Sequence, residues 1–126
     1  METKVMVVSW GGSSKKLPAI KLSGNWLDKI GFEYGKLVTA EYEKGKIILR
    51  LEDSQNYPDL VKTALKTGSG LFQISQHFQH YKYFTLLQIS GFWMEPLGFT
   101  IGSVVAVRYK FGLIKVLLID LEKLEA

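Results

Sequence analysis

Residues 19–51 read AIKLSGNWLDKIGFEYGKLVTAEYEKGKIILRL, residues 86–118 read LLQISGFWMEPLGFTIGSVVAVRYKFGLIKVLL, and the fold follows from how these stretches repeat one another. They align without a gap at an offset of 67 residues, and four glycines and a tryptophan are among the identical positions. A fixed offset of this kind is typical of tandem supersecondary units. We therefore predict one unit at 1–52, a connector at 53–68 and a second unit at 69–126.

The repeated residues of the first unit predict a strand, a short helix and a β-hairpin. Ser23 closes the strand and is a suitable helix N-cap, and Gly31 ends the helix with a positive φ. Gly45 then forms the turn between strands at 36–43 and 46–51, where alternate residues are apolar and face a core. One further strand precedes each unit, so the sequence predicts a mainly β fold with short helices.

The connector, DSQNYPDLVKTALKTG, predicts a third helix. Asp59 follows Pro58, which is typical of a helix start, and the next turns carry an apolar face formed by Leu60, Val61, Ala64 and Leu65. We favour a linker helix packed on the rest of the fold over a separate recognition helix.

Composition excludes several classes of protein. The chain has 126 residues, of which 47% are hydrophobic and 22% are charged, as is usual for a globular protein. No apolar run approaches the ~20 residues of a membrane span, and no signal peptide is evident. We therefore expect a cytoplasmic protein with no membrane association. The absence of cysteine excludes disulfides, thiol catalysis and cysteine zinc sites, and the net charge of +4 permits phosphate binding.

The first unit resembles the SymE toxin family, whose pattern runs roughly P-A-L-x-L-x-G-x-W-L-x-x-A-G-F-x-x-G-x-x-V-x-V-x-x-x-x-G-x-L-V-I. The match is carried by Pro18, Gly24, Trp26, Leu27, Gly31, Phe32, Gly35, Val38 and Gly45. The second unit lacks the proline but keeps Gly91, Trp93, Gly98, Phe99, Gly102, Val105 and Gly112.

SymE is similar to AbrB and MazE, in which two copies complete a swapped-hairpin barrel. The resemblance therefore implies an intramolecular pseudo-dimer, with both copies in one chain as in the MraZ proteins. It also implies a toxin or regulator that binds DNA or RNA. It supplies no catalytic residue.

Six basic side chains are the candidate phosphate contacts: Lys15, Lys16, Lys21, Lys46, Arg108 and Lys110. The first two follow WGGSS, a stretch that could follow a nucleic-acid backbone. Binding of this kind would be electrostatic, with shape rather than base edges setting preference. The alternative for each is a solvated surface charge. The repeated Trp26, Trp93, Phe32 and Phe99 could stack on bases, but we favour core positions for them.

Charge is inverted between the units at one place. Glu41 and Glu43 align with Arg108 and Lys110. Two explanations stay open: the opposite charges pair with each other and enforce pairing of unlike halves, or only one half presents a basic surface to nucleic acid.

The second unit also carries apolar residues where the first is polar, namely Phe92, Phe111, Leu113 and Leu117. Apolar groups near a hairpin turn indicate a protein partner or a homodimer through the second unit. Burial against the connector or against residues 70–84 is the alternative.

Catalysis has little support in the sequence. His77 and His80 are the only histidines, no acidic residue lies beside them, and an acid–base pair needs two converging groups. No cofactor or metal motif is present. Nucleic-acid binding is therefore the leading interpretation. A ribonuclease toxin and a protein-interaction module or inhibitor are the alternatives.

Overall fold

The computed structural model describes residues 1–11, 17–52 and 70–119, and in these ranges the chain is mainly β. The first unit contains β1 (Glu2–Val7), β2 (Ser9–Gly11), β3 (Leu17–Ser23), α1 (Asn25–Lys29), β4 (Leu37–Glu43) and β5 (Lys46–Leu51). The second contains β6 (Gly70–Gln73), β7 (Ser75–Gln79), β8 (Lys82–Ser90), a 3₁₀ helix (Phe92–Met94), β9 (Val104–Lys110) and β10 (Leu113–Leu118). The predicted connector helix lies outside the described residues.

The strands form two antiparallel sheets in which the units exchange strands. The larger sheet has the order β1-β9-β10-β5-β4-β6, and the smaller has the order β2-β3-β8-β7. When every strand is replaced by its repeat counterpart, each order becomes the same order read from the other end. Both sheets are therefore symmetric under exchange of the two units. The strand β1 of the first unit thus pairs with β9 of the second, and β6 of the second pairs with β4 of the first.

The predicted single barrel is wrong for the described strands, which form two open sheets. Val8 joins β1 to β2, and Ile74 joins β6 to β7; both are buried at the corner between the sheets. Val8 exchanges backbone hydrogen bonds of 2.8 Å with Gly102 and Ser103, and Ile74 does so at 2.8 and 2.9 Å with Gly35 and Lys36. Because loops take these bonds, the ladders end at the corners and the sheets do not close on each other.

One hydrophobic cluster fills the space between the sheets and includes both units. The alternation predicted for 36–43 and 46–51 is confirmed, since Val38, Ala40, Ile47 and Leu49 are fully buried. Phe32 and Phe99 are also fully buried, so the core interpretation of these two rings is confirmed.

The predicted serine N-cap is wrong. Ser23 stays in β3, paired with Leu86, and Gly24 occupies the N-cap position with φ +118° and no capping side chain. The Gly24 N–H donates to the Thr85 carbonyl at 3.1 Å. The strand therefore runs one residue further than expected, and the corner falls on a residue that adopts positive φ without strain.

No helix in the described part of the chain has the length and apolar character needed to cross a membrane.

Candidate functional site

Two tryptophan–tyrosine pairs join the units. Trp26 of α1 packs on Tyr109 of β9, with ring centroids 4.7 Å apart, and Trp93 packs on Tyr42 of β4 at 4.0 Å. Each pair contains one residue from each unit, and the pairs are equivalent under the 67-residue offset. Both tryptophans are half-buried at the edge of the core.

Residues of β1 cover the first pair. Glu2 accepts a 2.8 Å hydrogen bond from the Tyr109 hydroxyl, and this bond, with burial and the carboxylate charge, raises the pKa of Tyr109. Lys4 places its Nζ 5.0 Å from the centre of the Trp26 ring, within range of a cation–π contact. The Trp26 indole N–H donates to the Ser23 carbonyl at 2.8 Å, which fixes the ring orientation.

Trp26 separates two clefts that both carry lysines. The first cleft, of about 460 Å³, is lined by Lys29, Lys110 and the Trp26–Tyr109 pair together with Met1, Glu2 and Ile30. The second, of about 440 Å³, is lined by Lys4, Lys21 and Trp26 together with Val5, Met6 and Ser23. Four lysines therefore surround one aromatic pair, and we call Lys4, Lys21, Lys29 and Lys110 the lysine cluster.

None of the four cations recurs at the second pair. In the repeat alignment at an offset of 67 residues, Lys21 aligns with Gln88, Lys29 with Pro96 and Lys110 with Glu43. Lys4 corresponds to Gly70, because the two residues pair with the equivalent positions Val107 and Ala40.

The space beside the second aromatic pair is also filled differently from the space beside the first. A Cβ on Gly70 would overlap the Tyr42 hydroxyl, so this phenol covers the strand where Lys4 stands in the first pair. Burial raises the pKa of Tyr42 to about 12. The second pair is thus closed by its own phenol and carries an acidic neighbour in place of a lysine.

The six predicted phosphate contacts do not form one site. Lys21 and Lys110 lie at the lysine cluster, whereas Lys46 forms a 3.5 Å ion pair with Glu43. Arg108 lies on the outer face of the larger sheet, directly across from Lys115 of β10. The predictions for Lys15 and Lys16 fall outside the described residues.

The charge inversion has a clear geometry. Glu41 pairs with Arg50 at 3.7 Å and Glu43 with Lys46, so in the described ranges these acids are neutralised within their own hairpin. The strand β9, which carries Arg108 and Lys110, lies three strands away from β4, a distance of about 14 Å. Pairing of the inverted charges with one another is therefore wrong. The other explanation, a basic surface on one half only, stays a prediction.

The four residues predicted as a protein interface lie on three different elements. Leu113 and Leu117 are half-buried on the outer face of β10. Phe111 is exposed at the β9–β10 turn, with its ring against Gly31, and Phe92 is exposed on the 3₁₀ helix beside Trp93. Exposure of both phenylalanines is what an interface requires, and its existence stays a prediction.

Sequence reasoning missed Lys4, Lys29 and Tyr109, and it treated Trp26 as core. A signal for the cluster was present, because the repeat alignment pairs Lys29 with Pro96 and Lys21 with Gln88. The grouping itself was not visible, since β1, α1 and β9 meet only through strand exchange between the units.

Chemically, the cluster is suited to binding an anion with an apolar or aromatic part. Lysines supply charge and hydrogen-bond donors to phosphate, and the indole and phenol offer apolar walls. In the ranges described, no three His, Asp or Glu side chains converge as metal ligands.

Comparison with protein-family models, with curated proteins and with solved structures finds no match to this chain.

Proposed function

We propose that this chain is a nucleic-acid-binding protein of the SymE/AbrB-like group, and that the lysine cluster at Trp26 and Tyr109 binds phosphates. The observation that carries the proposal is the difference between the two aromatic pairs. Four lysines collect at one pair and are replaced by Gln88, Pro96, Gly70 and Glu43 at the other. A purely structural role for the lysines would not require them at only one of two equivalent places.

The electrostatics support the same site. In the described ranges the four lysines have no ion-pair partner, whereas Lys36, Lys46 and Arg50 each contact a glutamate. Glu2, which also lines the first cleft, accepts the Tyr109 hydrogen bond, and the four lysines outnumber it, so the cluster keeps a positive charge that attracts phosphate oxygens. Arg108 and Lys115, on adjacent strands of the outer sheet face, extend the basic surface beyond the cluster.

The proposal also takes the two units as a swapped-hairpin pseudo-dimer within one chain. The exchange of β1 and β6 between the units supports this, as do the hairpin turns. The Gly112 N–H donates to the Ile30 carbonyl at 2.8 Å, and the Gly45 N–H donates to the Leu97 carbonyl at 2.8 Å. The turn of each hairpin is therefore hydrogen-bonded to the residue at or just after the end of the short helix of the other unit. As a cytoplasmic protein, the chain would meet both DNA and RNA.

The test is binding of the purified protein to labelled oligonucleotides of about 20 nucleotides across a salt series, measured by fluorescence anisotropy. The variant Lys21→Gln/Lys29→Gln/Lys110→Gln should bind about 10- to 100-fold more weakly at low salt. Its slope of log affinity against log salt should be reduced by about 2, because fewer counterions are released.

The matched control is Lys36→Gln/Lys46→Gln/Arg50→Gln, which removes the same charge from cations that already have glutamate partners. We expect this variant to bind within a few-fold of the wild type. Equal losses in both variants would mean that binding depends on net charge alone and would contradict the lysine cluster as the binding site. No binding by the wild type at low salt would contradict the proposed function.

A further inference from the structure

The β7–β8 hairpin carries aromatic rings that the core does not use. Phe78 and Tyr83 lie directly opposite each other on the two strands, with ring centroids 5.0 Å apart. Tyr83 shares its sheet face with the buried Thr85 and Leu87, so this face continues past the core into solvent. The exposed fractions are 59% for Phe78, 67% for Tyr83 and 93% for Tyr81 at the tip.

The backbone of the hairpin turn is strained at its two central residues, and the second of them carries the exposed Tyr81 ring. His80 and Tyr81 have φ of 52° and 64°, and they are the only non-glycine residues with positive φ in the described ranges. Positive φ at both central positions is the type I′ geometry, which favours Asn-Gly. Two larger side chains here cost stability, and such strain is found at functional sites.

The chemistry of the hairpin selects among possible partners. No Asp or Glu occurs between residues 70 and 94, while Lys82 and His80 lie at the tip. Asp28 of α1 accepts a 2.8 Å hydrogen bond from Thr85, so an acid lies at the base of the hairpin and the basic groups lie at its tip. Exposed aromatic rings near basic groups suit a polyanion whose bases present π-faces. Rings on adjacent strands are held by the ladder, so little side-chain freedom is lost when bases stack on them.

The hairpin also adjoins the lysine cluster. Leu86 of β8 pairs with Ser23, the residue whose carbonyl holds the Trp26 indole. Tyr83 lies three residues further along the same strand, a distance of about 10 Å. Lys21, opposite Gln88, lies on the other face of this sheet from Tyr83, so one bound strand would contact the hairpin and the lysines in succession and not on a single face.

We propose that the β7–β8 hairpin is a stacking platform for the unpaired bases of a single-stranded nucleic acid, through Phe78, Tyr81 and Tyr83. This rests on the proposed function and specifies its substrate class. Bases in a duplex are already stacked on one another and do not present free faces to these rings. The hairpin therefore favours single strands, whereas the lysine cluster contributes to both forms.

The experiment compares a labelled single strand of about 20 nucleotides with its duplex, using the full chain. Tyr81→Leu/Tyr83→Leu should weaken single-strand binding by at least about tenfold, leave duplex binding unchanged and keep the salt slope. Tyr81→Phe/Tyr83→Phe should bind like the wild type, because stacking needs the ring and not the hydroxyl. Tyr34→Leu, which removes another exposed tyrosine, is the matched control and should have no effect.

Two outcomes would contradict the proposed stacking platform and leave the proposal for the lysine cluster unaffected. Wild-type binding that is equal for single strand and duplex would do so. Full single-strand binding by the leucine variant would also do so, since it would show that binding does not require stacking on these rings. No wild-type binding to either nucleic acid would instead overturn the proposed function, and the platform with it.

A second variant separates stacking from folding. His80→Asn/Tyr81→Gly gives the turn its preferred residues, so Tm should rise by roughly 4 °C as strain is relieved. Single-strand binding should nevertheless weaken by about tenfold, because the exposed ring is lost. A stabilised variant with undiminished binding would show that the tip makes no contact with the ligand.

Discussion

The first aromatic pair, Trp26 with Tyr109, and the second, Trp93 with Tyr42, occupy equivalent places but have different surroundings. The first is open, with clefts on both sides of Trp26 and lysines around them. The second is closed by Tyr42, whose hydroxyl fills the space above Gly70. A duplicated fold can therefore close one copy of a contact with its own side chain and leave the other copy open, with lysines around it.

The largest effect should come from importing residues of the second pair into the first. Lys21→Gln/Lys110→Glu installs the residues that the other unit has at these positions. We expect affinity for nucleic acid to fall about 100-fold at low salt, because two attractive charges are lost and a repulsive one is added. Anisotropy titration measures the loss, and circular dichroism checks that the fold is kept.

The reverse exchange tests whether lysines alone are sufficient for binding. Glu43→Lys/Gln88→Lys supplies lysines to the second pair, where Tyr42 already occupies the space. We expect less than about a threefold gain in affinity. A gain comparable to the loss above would mean that charge alone makes the site and that the open clefts at Trp26 are irrelevant.

A smaller effect, on stability, should distinguish the strands that cover the two pairs. Gly70→Ala places a methyl group against the Tyr42 hydroxyl and 2.9 Å from a Phe72 ring carbon, so the free energy of unfolding should fall by about 1–3 kcal/mol. Lys4→Ala, at the equivalent position, removes only an exposed cation over Trp26 and should cost no more than about 1 kcal/mol. Urea unfolding measures both, and equal costs would contradict the closed and open description.

Small effects at neutral pH should distinguish the two phenols, Tyr42 and Tyr109. Tyr42→Phe should have little effect at pH 7, because the Tyr42 hydroxyl has no hydrogen-bond partner in the described ranges. Tyr109→Phe should cost about 0.5–1.5 kcal/mol, because it removes the hydrogen bond to Glu2.

Alkaline pH separates the phenols further. The pKa of Tyr42 is about 12 in the folded state against 10.0 when unfolded, so its stabilising contribution is complete below pH 10 and is lost as pH rises through 12. In Tyr42→Phe this loss should be absent. Unfolding measured between pH 9 and pH 12 tests this expectation. An unchanged pH dependence in the variant would show that burial does not hold this proton.

Much of the local structure could be predicted from the sequence. The repeat, the apolar alternation of β4 and β5, and the glycine turn at Gly45 follow from spacing and from the backbone preferences of single residues. The serine cap could not be predicted reliably, because pairing of Ser23 with Leu86 on a distant strand competed with capping and won. Local signals specify local elements, and a long-range strand pair can override them.

The duplication, the mainly β character and the excess positive charge of both units follow from the sequence alone. Where the charged side chains meet depends on the tertiary structure. Pairing of β1 with β9 brings Lys4 over Trp26 and Glu2 to Tyr109, whereas Lys46 forms an ion pair with Glu43 in its own hairpin. A concentrated positive potential needs cations that are close together and not already paired. Strand pairing over a long sequence distance brings Lys4 and Lys110 to one aromatic pair, whereas the ion pair of Lys46 is local.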